Sequence, residues 1–156
     1  MLPADVFLLI TQTTFFCVSA RLIYVDVMEH RLPNIMVLPL TAGVVIALLI
    51  LSLATADLGA LVRSVAGGIA LGGFYLLLRA GSRGALGGGD VKLAIPLGLL
   101  LAWDGWAALV VGAGLAFVLG GIASVVLLLA RLATRGTHIA FGPWMLIGAC
   151  LGLALT

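Results

Sequence analysis

The sequence has 156 residues, of which 63% are hydrophobic and 9% are charged, and its formal net charge is +2. Soluble domains carry about 25% charged and 45–50% apolar residues, so this composition excludes a soluble globular fold, and its high hydrophobicity excludes disorder. The small net charge and the lack of a basic run argue against nucleic-acid binding. We therefore expect an all-α, polytopic membrane protein.

Six apolar stretches follow one another along the chain, and we expect them to form one membrane-embedded domain. A spanning helix needs about 20 mainly apolar residues, and continuous apolar runs favour helices over the alternating pattern of a barrel. In chain order, the predicted transmembrane helices are 5–28, 34–53, 58–79, 90–103, 106–130 and 139–155.

Small residues recur at four-residue spacing in three of these helices, a pattern that favours close helix packing in lipid. They are Gly68 and Gly72 in helix three, Gly148 and Gly152 in helix six, and Gly112, Ala116, Gly120 and Ser124 in helix five. Cys17 and Cys150 are isolated in apolar stretches, so we expect two buried thiols rather than a zinc or redox site. No ligand cluster is evident, and no metal or cofactor is expected.

The basic residues fall mainly on one side of the predicted membrane. If the helices alternate in direction, seven of the eight bases lie beside the connections that follow helices one, three and five: Arg21, Arg31, Arg79, Arg83, Lys92, Arg131 and Arg135. The positive-inside rule makes this face cytoplasmic and puts both termini outside the cytoplasm. The opposite face receives Arg63 and three acids that we interpret as loop residues, Asp5, Asp57 and Asp104.

Three acids lie on the basic face, and ionisable groups at membrane depth are candidates for function. Glu29 is interpreted as a solvated interfacial acid. Asp26 stands near the end of helix one, where the helix dipole disfavours an anion; its alternative is a surface acid paired with a neighbouring base. Asp90 follows three glycines, and the residues alone leave open whether it is an N-cap or a functional acid. Three glycines suggest a sharp bend or the close approach of another chain segment.

Asp26 and Asp90 together have the chemistry of an aspartic peptidase. One ionised carboxylate takes a proton from the attacking water, while the other, protonated, donates to the peptide carbonyl, and two close carboxyls readily share one proton. The main alternative is a small proton-coupled transporter that uses the two acids as a proton relay. A transporter would favour acids near the midplane and inverted repeats, and neither is evident. His30 and His138 are interpreted as ordinary interfacial residues.

At these residues the sequence resembles the type IV prepilin peptidase family, whose members are membrane aspartic peptidases with a GxGD motif. Residues 26–34 match the family's D-x6-P-[DN] pattern, and residues 87–92 read Gly-Gly-Gly-Asp-Val-Lys, as in G-x-G-D-x-K. Residues 138–143 resemble the apolar-Phe-Gly-Pro segment that enters the last helix.

The resemblance implies a hydrolase that removes the short basic leader from prepilin-like proteins at the cytoplasmic face of the inner membrane. It implies that Asp26 and Asp90 are the catalytic dyad. The resemblance also implies supporting roles. Gly87 and Gly89 would shape the loop before Asp90, and Lys92 would orient Asp90 or its neighbours. The first loop would be fixed by Arg31, Pro33 and Asn34. Since paired CxxC motifs are lacking, the sequence is similar to the short peptidases of tight-adherence (Flp-type) pilus systems or their archaeal preflagellin relatives, and we expect cleavage without N-methylation.

Overall fold

The computed structural model describes residues 3–29, 34–82, 86–130 and 141–156, except for the side chains of residues 23, 25–29 and 34–36. Within these ranges the chain forms six α-helices and no strand. They are α1 (Pro3–Glu29), α2 (Asn34–Thr55), α3 (Leu58–Gly81), α4 (Gly88–Asp104), α5 (Trp106–Leu129) and α6 (Gly142–Leu155). The predicted all-α fold with six helices is confirmed. The described part of α6 begins at Gly142, and the first two residues of its predicted span, 139 and 140, lie outside the described residues.

Four of the described helices are long and apolar enough to cross a membrane, over the segments Pro3–Leu22, Val37–Thr55, Leu58–Gly81 and Trp106–Leu129. The other two are shorter, since α4 has 17 residues and α6 has 14, which corresponds to about 26 and 21 Å. Large apolar side chains face outwards, among them Leu53 and Leu129, which are 80% and 79% exposed. Such an outer surface suits lipid rather than water.

Backbone contact between α3 and α4 defines the centre of the bundle. A Cβ atom on Gly98 would lie 2.5 Å from the carbonyl oxygen of Gly67, and one on Gly72 would lie 2.6 Å from Cγ1 of Ile95. The two helices run antiparallel, because residues that come later in α3 meet residues that come earlier in α4. α4 is the central helix, and its Ala94, Leu100 and Ala102 are completely buried.

A second close pair joins α5 and α6 through the predicted small residues. A Cβ atom on Gly148 would lie 2.6 Å from the carbonyl oxygen of Gly112, and one on Gly152 would lie 2.7 Å from the Cα atom of Gly112. The four-residue spacing in these helices, and in α3, is therefore used for packing as predicted.

The end of the bundle that contains the carboxyl end of α4 is held by polar contacts. The Nε atom of Arg63 donates to the carbonyl oxygen of Ala102 at 2.7 Å, and its Nη2 atom donates to that of Trp103. Gln12 donates to the carboxylate of Asp104 at 2.7 Å, which connects α1 to α4. The interpretation of the three acids as loop residues is wrong for Asp5, in the first turn of α1, and for Asp104, the last residue of α4. Asp57 lies between helices and caps α3 by accepting from the backbone N–H of Ala60 at 2.8 Å.

The prediction of two buried thiols is wrong. Cys17 and Cys150 are both exposed on the outer surface of the bundle. A cysteine side chain behaves as a small hydrophobic group, so it can face lipid at little cost. An apolar stretch of sequence therefore does not distinguish a side chain buried in protein from one that faces the membrane.

Candidate active site

Asp90 lies in the first turn of α4 and is 7% exposed. It is the third residue of the helix, and the N-cap is Gly87, whose backbone is extended (φ −61°, ψ 142°). The Asp90 carboxyl turns back towards the start of the helix, because a Cβ atom on Gly87 would lie 3.1 Å from its Oδ2 atom. At this position the positive end of the helix dipole stabilises a carboxylate. Asp90 is therefore a buried acid near, but not at, the capping position.

The glycines before Asp90 allow a close approach. Among the described residues, Gly105 is the glycine with a positive φ, so Gly87, Gly88 and Gly89 are not required for a left-handed turn. Instead, a Cβ atom on Gly88 would collide with the guanidinium group of Arg79 from α3. Of the two predicted explanations for the glycine run, the structure supports close approach of another segment at Gly88.

Tyr75 is an unpredicted member of the site. It belongs to α3, is 1% exposed and interacts electrostatically with Asp90. The sequence carries one signal that could have found it, because Tyr75 follows Gly68 and Gly72 at helical spacing and so continues the face of α3 that packs on α4. The predicted packing role of that face covered Gly68 and Gly72 and did not include Tyr75.

Phe141, just before the start of α6, lies close to Tyr75. Its ring packs over α5, where a Cβ atom on Gly120 would lie 2.6 Å from Cε2 of Phe141. The centroid of the ring is 6.0 Å from that of Tyr75 and 5.1 Å from that of Phe117. The third predicted motif therefore contributes an aromatic side chain to the neighbourhood of Tyr75.

Asp26 lies in the last turn of α1, and its side chain is outside the described part of the structure. The buried face of α1 includes Phe15, Ser19 and Leu22, and position 26 follows Leu22 at the four-residue spacing that keeps a helical residue on the same face. By this spacing, position 26 is expected on the same stripe of α1 as these buried residues.

The remaining predicted residues are only partly described. Arg31 and Pro33 lie outside the described residues, and Asn34 is the first residue of α2, with its side chain not described. Lys92 is half-buried in α4. It stands two residues after Asp90, and residues at this spacing do not face each other on a helix. Lys92 therefore lies on a different side of α4 from Asp90.

The site lies inside the bundle, several residues before the carboxyl-terminal ends of α3 and α5. Tyr75 precedes the end of α3 at Gly81 by six residues, and Gly120 precedes the end of α5 at Leu129 by nine. At about 1.5 Å per residue, this corresponds to a depth of about 9–13 Å. Gly88 at the start of α4 lies against Arg79, two residues before the end of α3, and Phe141 at the start of α6 lies against Gly120. Asp90 is therefore inside the bundle but nearer to the end of α3 than Tyr75.

The family profile described as "Type IV leader peptidase family" matches residues 13–125. The chain belongs to this family. The matched segment contains Asp26 and the Gly87–Asp90 run, and it ends before Phe141. The resemblance predicted from the motifs is thereby confirmed.

Curated relatives of this leader peptidase family member carry the name prepilin leader peptidase/N-methyltransferase. The protein from Stutzerimonas stutzeri is 36% identical over 132 residues, which cover 83% of this chain and 44% of the relative. The protein from Dickeya chrysanthemi is 33% identical over 141 residues, which cover 90% of this chain and 48% of the relative. The protein from Pseudomonas aeruginosa is 35% identical over 130 residues, which cover 83% of this chain and 43% of the relative. The chain thus spans somewhat less than half the length of these relatives. No solved structure matches it.

Among the described residues, the reactive group of the site is the buried carboxyl group of Asp90. Within the described ranges, no three His, Cys, Asp or Glu side chains come together in a way that could hold a metal ion. Asp90 provides a proton donor or acceptor, and the helix start beside it favours negative charge. This arrangement can support general acid–base chemistry on a substrate that reaches the depth of the site.

Proposed function

We propose that this chain is a membrane aspartic endopeptidase that removes the short basic leader from prepilin-like proteins. The observation that carries the proposal is a carboxyl group, that of Asp90, held at 7% exposure in the first turn of α4. Ionisable groups buried in a membrane protein are costly and are retained for function. Membership of the type IV leader peptidase family and the names of the curated relatives support the same activity.

In this proposal, Asp26 and Asp90 share one proton. The ionised carboxylate takes a proton from a water molecule, whose oxygen attacks the carbonyl carbon of the scissile peptide bond. The protonated carboxyl donates to the carbonyl oxygen, and the C–N bond then breaks as the leaving amine takes a proton. The expected position of residue 26 on the bundle-facing side of α1 supports its role as the partner of Asp90.

The depth of Asp90 suits a bond near the membrane surface. A prepilin-like substrate changes from a polar leader to a hydrophobic helix at the point of cleavage, so that bond lies close to the interface. Asp90 lies near the end of α3, because Gly88 at the start of α4 packs against Arg79, two residues before Gly81. Its carboxyl group can therefore meet such a bond while the substrate helix stays in lipid.

We further propose that the Asp90 end of the bundle faces the cytoplasm, and that the membrane is the inner membrane. Arg79 and Lys92 belong to that end, while Arg63 belongs to the opposite end, beside the last residues of α4. An excess of bases on one side is the usual mark of the cytoplasmic side. In this orientation the basic leader of the substrate reaches the dyad without crossing the membrane.

The test is cleavage of a prepilin-like substrate by the purified protein in lipid vesicles, followed by mass spectrometry of the product. We expect that Asp26→Asn and Asp90→Asn each abolish cleavage while the protein still inserts and keeps its helical circular dichroism. Asp57→Asn is the matched control, since asparagine is an equally good N-cap and position 57 is at the other end of α3. Retained activity in either dyad variant would disprove the two-aspartate mechanism.

The same product tests the prediction of cleavage without N-methylation. The sequence has two cysteines, Cys17 and Cys150, and no CxxC pair. We propose that the product carries a free N-terminal amine even when a methyl donor is supplied. A product heavier by one methyl group would contradict this part of the proposal and leave the peptidase activity in place.

A further inference from the structure

Tyr75 is a deeply buried side chain with one polar atom. It is the largest fully buried side chain among the described residues. The small cavity beside it is lined otherwise by apolar side chains and glycine, including Leu71, Leu97 and Met145. A buried tyrosine normally uses its hydroxyl group in a polar interaction. A phenylalanine would fill the same space without that requirement, so the hydroxyl group calls for an explanation.

The register between α3 and α4 places Tyr75 within about one helical turn of the level of Asp90. Gly72 packs against Ile95, and Arg79 lies against Gly88. Tyr75 stands between Gly72 and Arg79 on α3, so its level on α4 falls between Ile95 and Gly88. That interval contains Asp90, at the beginning of α4.

The two side chains also face the same interior. Tyr75 lines its cavity together with Leu97 and Leu101 of α4. Asp90 precedes Leu97 by seven residues, which is two helical turns, so both project from the same side of α4. Asp90 is near enough for its charge to act on the Tyr75 hydroxyl group, in agreement with this placement.

Aromatic packing fixes the orientation of the phenol ring. The centroid of Tyr75 lies 5.6 Å from that of Phe117 and 6.0 Å from that of Phe141. These contacts come from α5 and from the start of α6, so three helices hold the ring. With the ring fixed in this way, the hydroxyl oxygen has a fixed position relative to α4.

We propose that Tyr75 is a positioning residue for Asp90: its hydroxyl group, held in place by Phe117 and Phe141, keeps the Asp90 carboxyl in the orientation in which it acts on water. The inference rests on the proposed peptidase function. It also gives the Phe141 segment a role, since the ring of Phe141 packs on Tyr75.

The test compares Tyr75→Phe with Tyr24→Phe in the vesicle cleavage assay. Tyr75→Phe keeps the ring and removes the hydroxyl group, and we expect kcat to fall about tenfold, the loss typical of an interaction with a charged group, while KM stays within about twofold. Tyr24 is 68% exposed on α1, so Tyr24→Phe should cleave like the parent. The thermal midpoint of unfolding should be the same for both variants.

Each outcome separates this inference from the proposed function. Parent-like kcat in Tyr75→Phe, with Asp90→Asn inactive, would overturn the positioning role and leave the peptidase proposal intact. A fall in kcat accompanied by an equal loss of folded protein would assign Tyr75 a packing role and would also overturn the inference. Full activity in Asp90→Asn would overturn the proposed function, and the role of Tyr75 with it.

Discussion

Gly67 of α3 and Gly98 of α4 touch backbone to backbone, so that a Cβ atom on Gly98 would lie 2.5 Å from the carbonyl oxygen of Gly67. Helices approach this closely only where both residues are small. The contact fixes the register of the two helices, and the same register brings Arg79 to Gly88 and Tyr75 to within about one helical turn of Asp90. A packing contact in the middle of the bundle therefore determines the geometry of the site at its end.

Gly98→Ala should destabilise the protein strongly. The new methyl group would meet backbone atoms of Gly67 and Gly68, which cannot move aside without separating the helices. Overpacking of this kind costs about 1–3 kcal/mol, which should lower the thermal midpoint of the purified protein clearly. Gly73→Ala is the matched control on α3, since nothing lies within 4 Å of its Cβ position. Equal midpoints for the two variants would contradict the assigned helix contact.

Arg63→Met should lower stability without lowering the cleavage rate per folded molecule. Its guanidinium group satisfies the carbonyl oxygens of Ala102 and Trp103 at the end of α4, and loss of charged hydrogen bonds of this kind costs about 1.5–3 kcal/mol. Ala102 is twelve residues, about 18 Å, from Asp90 along α4, so the chemistry should be unaffected. Arg21→Met, at an exposed position on α1, is the stability control. A fall in the specific rate of Arg63→Met would show that the two ends of α4 are coupled.

The helices and the buried acid could be predicted because each has a local signal. Apolar runs are continuous over a helix length, and Asp90 is one of six acids in a chain with few charges. Spacing places Tyr75 on the glycine face of α3, but it could not assign Tyr75 to the site. The level of Tyr75 relative to Asp90 depends on the register between α3 and α4, which is set by the contact of Gly67 with Gly98. The exposure of Cys17 was missed for a related reason, since lipid and protein interior favour the same apolar residues.

The proposed orientation can be tested by cysteine labelling in intact cells. Cys17 and Cys150 are exposed, so both are first replaced by alanine. Ser82→Cys then marks the Asp90 end at the exposed carboxyl end of α3, and Thr55→Cys marks the opposite end at the exposed end of α2. An impermeant maleimide should label Thr55→Cys in intact cells and Ser82→Cys only after permeabilisation. The reverse pattern would place the Asp90 end outside the cytoplasm and contradict the proposed orientation.

Two adjacent glycines in α5 give a sharp test of the role of Phe141. A Cβ atom on Gly120 would lie 2.6 Å from Cε2 of Phe141, whereas nothing lies within 4 Å of the Cβ position of Gly121. A ring cannot yield as a flexible chain does, so Gly120→Ala should displace Phe141 and loosen the packing on Tyr75. If Tyr75 positions Asp90, kcat for prepilin cleavage should fall by about threefold to tenfold, because small misplacements near a reacting group are costly. Gly121→Ala makes the same chemical change one residue away and should cleave at the parent rate. Indistinguishable rates for the two variants would show that the position of the Phe141 ring does not matter for the reaction.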